Sequence, residues 1–117
     1  MHEYEILPRN AIEVKPRAPI LEWVTKNAIP SSLSAEDLQE ETRIYLCPEF
    51  EADNDVERAV DNYIKMNYRT IFLNELEACF LDPSLFPELT YRNFSAWFEI
   101  VLHMMVLDMI GNPDEVI

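Results

Sequence analysis

One glycine, two cysteines and two histidines are spread over 117 residues, and each scarcity removes a class of chemistry. The lone glycine, Gly111, leaves no glycine-rich loop to cradle a phosphate. Cys47 and Cys79 stand without a C-x-x-C, so no zinc site or disulfide framework is expected. Both read as small core hydrophobes of a reducing cytoplasm. With His2 at the terminus, a Ser-His or Cys-His mechanism would depend on His103 alone. Cationic residues are scarce too: 9 Lys and Arg stand against 22 Asp and Glu, a net charge of −13. Such a field repels nucleic acid and anionic lipid, so neither is expected as a partner. No apolar run reaches the roughly 18–20 uncharged residues of a membrane span. The N-terminal MHEYEILPRN lacks the basic head and apolar core of a secretion signal, and a cytoplasmic protein is expected.

The composition is nevertheless 49% hydrophobic and 11% aromatic, which suits a packed core. One domain over 1–117 is expected, with 1–10 and 112–117 loosely held. The densest apolar stretch is Phe94 to Ile110, FSAWFEIVLHMMVLDMI, closed by Gly111 as a C-terminal cap.

Local patterns sketch the elements. Ile12 and Val14 alternate with Glu13 and Lys15, predicting a strand over 11–15. Pro16 and Pro19 make a corner into a helix over 18–25, with Ile20, Trp23 and Val24 inward. Ser34 with Asp37 caps a short helix over 35–41. TRIYLC, 42–47, is a strand whose continuous apolar run suggests cover on both faces. The helical connection between these two strands suggests parallel neighbours. Two helices follow, over 55–66 and 69–81, joined at Asn67-Tyr68 and opened by Asp53 or Asn54 as N-cap. Thr90 caps a helix in which Phe94, Trp97, Phe98 and Val101 form one stripe. The remaining residues are placed as a third strand over 104–109. The expected fold is α+β, a small sheet of about three strands (11–15, 42–47, 104–109) with helices mainly on one face. The alternative is an all-α bundle with one long C-terminal helix.

Candidates for chemistry are few. Glu51, Asp53, Asp55 and Glu57 alternate, but a calcium loop fails for want of a glycine and of a glutamate at its twelfth position. Glu99 and His103 would share a face, and could hold a metal, only in a continuous helix. Glu75 falls near an apolar stripe and would need a partner such as Arg69 or Arg92. Glu75, Glu99, His103 and Asp108 are therefore the catalytic candidates, with no metal or cofactor expected. Apolar Phe50, Leu85 and Phe86, with acidic Glu51, Asp53 and Asp55, are the partner-binding candidates.

Val14-Lys15-Pro16-x-x-Pro19 with Trp23, Tyr45-Leu46-x-Pro48-Glu49, Ile71-Phe72 with Glu75-Leu76, and Phe94-x-x-Trp97-Phe98 with His103 and Asp108 occur in this order. In this combination the chain resembles a small family of short, acidic bacterial proteins of no established activity. The resemblance implies a stand-alone bacterial cytoplasmic protein and carries no catalytic residue or cofactor with it. Three functions follow as expectations. The first is a non-enzymatic interaction or regulatory protein, docking a basic protein through the acidic segment 36–61 or the apolar loop 82–89. The second is an immunity-type or nucleic-acid-mimicking inhibitor. The third is a small enzyme using carboxylates and His103. A homodimer stays open.

Overall fold

The computed structural model describes residues 4–51 and 55–110. In chain order the elements are β1 (Glu5–Ile6), β2 (Arg9–Pro16), α1 (Ala18–Asn27), α2 (Ala35–Glu40), β3 (Arg43–Pro48) and α3 (Val56–Glu77). A 3-10 turn (Pro83–Leu85), α4 (Tyr91–Trp97), β4 (Phe98–His103) and β5 (Leu107–Asp108) complete them. The fold is α+β, as expected.

The main sheet has the order β3-β2-β4 and is antiparallel throughout. β1 and β5 form a second antiparallel pair, which prolongs β2 and β4 through the Leu7 N–H to Val106 carbonyl bond. Alternation sorts the main sheet into two faces. Ile12 and Val14 face the helices with their neighbours Tyr45, Ile100 and Leu102, while Glu13 lies on the open face with Ile44 and Val101. The core lies between sheet and helices, with Ile12, Val14, Ile20, Val24, Phe72 and Phe94 almost wholly buried.

The predicted local signals recur as hydrogen bonds. Ser34 accepts from the Asp37 N–H, and Thr90 from the Asn93 N–H. Pro19 sits in the first turn of α1. Asp55 itself caps α3, accepting from the Arg58 N–H. The expected caps Asp53, Asn54 and Gly111 lie outside the described residues.

Four expectations need correction. β2 and β3 are antiparallel, with Val14 opposite Arg43, because α1 and α2 fold against each other and return the chain to the end it left. Helix α3 is continuous through Asn67 and Tyr68. Asn67 donates its side-chain amide to the Tyr63 carbonyl one turn back, and Tyr68 packs edge-on against Tyr91. The third strand is 98–103, not 104–109. Backbone at Phe98 is already extended, and Phe98, Ile100 and Leu102 turn inward with the period of two that β-branched and aromatic residues favour. Finally, the outer face of β3 is open: Ile44 is 62% and Leu46 58% exposed.

Candidate functional site

Two places concentrate polar groups against apolar ones. The first is centred on Glu75, which α3 turns toward the sheet and which is only 2% exposed. The Tyr45 hydroxyl donates to its Oε2 at 2.5 Å and accepts from the Asn74 amide at 2.7 Å. Arg43 Nη1 lies 3.6 Å from Oε1 and is buried with no hydrogen-bond partner among the described residues. The partner of Glu75 is therefore Arg43, not Arg69 or Arg92. Arg43 and Tyr45 share the inner face of β3 because they are two residues apart on one strand. Burial pushes the Glu75 carboxyl above its ordinary range, opposed by the Tyr45 bond and the Arg43 charge. Burial, then the bond to Glu75, holds the Tyr45 phenol well above its usual value. Cys79, one turn on, has its thiol pushed up to about 11 by burial. This cluster ties β3 to α3 through the Tyr45 bond and the Arg43 charge on Glu75.

The other catalytic candidates do not join it. Glu99 and His103 both lie on the open face of β4, about 13 Å apart along an extended strand. His103 Nε2 is 3.3 Å from Glu13 Oε1. Asp108 sits on β5 and accepts from the Ile110 N–H. Among the described residues no three His, Cys, Asp or Glu side chains gather in a way that could hold a metal ion.

The partner-binding candidates fall in two places. Phe50 packs edge-on against Tyr63, 5.8 Å between ring centres, and its N–H donates to the buried Asn10. It thus packs on α3 two turns past the Asp55 cap; Glu51 and Asp55 are exposed, and Asp53 lies outside the described residues. Leu85 and Phe86 sit elsewhere, over α1: Trp23 donates to the Leu85 carbonyl and packs against the Phe86 ring. Loop 82–89 folds back over the core as expected, and Leu85 stays exposed.

The second place is a groove of about 370 Å³ between α3, α4 and β4. Val60 and Ile64 of α3, Phe94 of α4 and Phe98, Ile100 and Leu102 of β4 supply its apolar surface. Its polar rim holds Glu57, Asp61, Arg17, Tyr91 and Ser95. Glu57 and Asp61 stand one turn apart on α3, and among the described residues Arg17 is the one Lys or Arg of the lining. Asp61 is held by Lys65 at 3.0 Å and by the Tyr91 hydroxyl at 2.9 Å, which keep its carboxyl below the usual range. The acidic alternation of Glu51, Asp53, Asp55 and Glu57 marks the approach to α3, but no local pattern in the sequence marks the groove. Its far wall is β4, in a segment that the helical stripe had claimed. No family model matches the chain, and neither curated proteins nor solved structures contain a match to it, so the resemblance stated above rests on its motifs alone.

Proposed function

We propose that this protein is a non-enzymatic binding module that seats a basic, partly apolar segment of another protein in the groove between α3, α4 and β4. One observation carries the reading. The groove joins a continuous apolar floor to a rim on which Glu57 and Asp61 stand, next to the Asp55 cap, on a chain of net charge −13. Apolar floor supplies affinity, and carboxylates select and steer a cationic partner. We take the setting to be the bacterial cytoplasm, from the motif resemblance and from the charge.

The probe is a short fluorescein-labelled peptide of alternating lysine and valine, followed by anisotropy. Its affinity is expected to fall about tenfold or more when salt is raised until exposed charges are screened. The double charge reversal E57K/D61K, on exposed positions, is expected to weaken it similarly at low salt. Affinity indifferent to both changes overturns the reading.

Self-association is a second reading with its own observation. Tyr4, Ile6, Met104, Met105, Leu107, Met109 and Ile110 are all exposed around the β1–β5 ribbon, an apolar surface of the kind that marks contact sites.

A further inference from the structure

The groove opens beside a free sheet edge. β4 is hydrogen-bonded to β2 on one side, and among the described residues no strand pairs with its other side. Its sequence, FEIVLH, carries neither proline nor lysine, the residues that commonly blunt an edge. The opposite edge, β3, begins at Arg43 and ends at Pro48, which has no N–H to give. The two edges are thus unequal, and the unprotected one borders the cavity.

We propose, building on the binding reading above, that the partner segment binds as an extended strand added to the free edge of β4. Every second side chain of such a strand points to the inner face, where Phe98, Ile100 and Leu102 already point into the groove. Apolar residues belong at those positions. The intervening side chains emerge on the open face beside Glu99, which stands opposite Lys15 of β2 on one side and faces the free edge on the other. Lysine or arginine belongs there. Glu57 adds attraction for cations along the helical wall, beside an Asp61 already paired with Lys65, so apolar–basic alternation is the chemistry selected. Glu99, isolated as a catalytic group, becomes a partner-selecting one. A helical ligand would leave the β4 edge unsatisfied and would place its cations without regard to the period of two.

The test uses the unmodified protein and three versions of the lysine–valine peptide: the parent, one N-methylated at every valine, and one N-methylated at every lysine. N–H groups of alternate residues point to opposite edges of a strand, so each methylated series blocks one edge only. One series is expected to lose about tenfold or more in affinity, while the other stays near the parent. Hydrogen exchange of the β4 amides is expected to slow with the parent peptide. Equal affinity, or equal loss, in both series overturns strand addition while leaving the binding reading standing. No binding by the parent overturns the binding reading itself. Should β4 amides already be protected in a dimer that the peptide dissociates, a second copy occupies the edge, and the proposal of a foreign strand fails.

Discussion

At the scale of single residues, the most consequential contact is the Tyr45–Glu75 bond. Glu75 has a carboxyl pushed upward by burial, so the folded state releases its proton later than the unfolded chain does. Stability is therefore expected to fall as pH rises from the ordinary carboxylate range through the raised value, and to be regained on acidification. Tyr45→Phe removes a bond that opposes the upward shift and leaves one lobe of a buried carboxylate unmet. A loss of about 1–2 kcal/mol at neutral pH is expected, and less at low pH where Glu75 is protonated, read from urea midpoints at both. A loss independent of pH would show that the Tyr45 hydroxyl does not act through the charge on Glu75. The burial of Glu75 was legible, since it falls beside the Phe72–Leu76 stripe. Its partner was not: Arg43 is brought to it by the pairing of β3 with β2. Phe80 offers a second residue-scale test. It holds φ +58° with an exposed ring just after α3, a conformation that costs a side-chain-bearing residue about 1–2 kcal/mol. Phe80→Gly is expected to raise the thermal midpoint, the relief exceeding the added freedom of the unfolded chain. An unchanged or lower midpoint would contradict this.

At the scale of elements, the hinge of the fold is the passage from α4 to β4 without an intervening loop. The Arg17 N–H donates to the Trp97 carbonyl at 2.8 Å, holding the last helical residue against the β2–α1 corner. Phe98 then packs on both Phe72 and Phe94. Phe98→Ala is expected to cost about 3–5 kcal/mol in urea unfolding, the range for a large aromatic removed from a packed core. A loss under about 1 kcal/mol would mean that this junction does not organise the core. The element types were largely legible, because caps, prolines and alternation are local signals. The boundary at 97–98 was not. Phe94, Trp97, Phe98 and Val101 satisfy a helical period, and the same residues from Phe98 onward satisfy a period of two. Only the open edge of β2, a distant partner, decides between them. The parallel pairing expected for β2 and β3 failed for a like reason, since connection length does not reveal that α1 and α2 turn back on each other.

At the scale of the whole molecule, the helices cover one face of a sheet within extents of 50 × 40 × 19 Å, and the ribbon of β1 and β5 prolongs that sheet. The second half of the Phe94–Ile110 stretch, placed from the sequence as the third strand of the sheet, stands largely exposed there. Net charge −13 opposes the approach of a second copy, whereas the apolar ribbon favours it. Salt screens the first effect and leaves the second. Sedimentation is therefore expected to show monomer at low ionic strength and growing self-association as sodium chloride rises. Association that weakens with salt would place ion pairs, not the ribbon, at the contact. Long-range charge was the most legible property of the chain, and the groove between α3, α4 and β4 was the least, because three separate elements build it. The central claim is that this groove is where a partner binds. Its most direct test is a titration of isotope-labelled protein with the lysine–valine peptide, followed residue by residue through backbone amide shifts. The largest changes are expected at Glu57, Asp61 and the amides from Phe98 to Leu102; changes confined to Leu85 and Phe86, or to the β1–β5 ribbon, would contradict it.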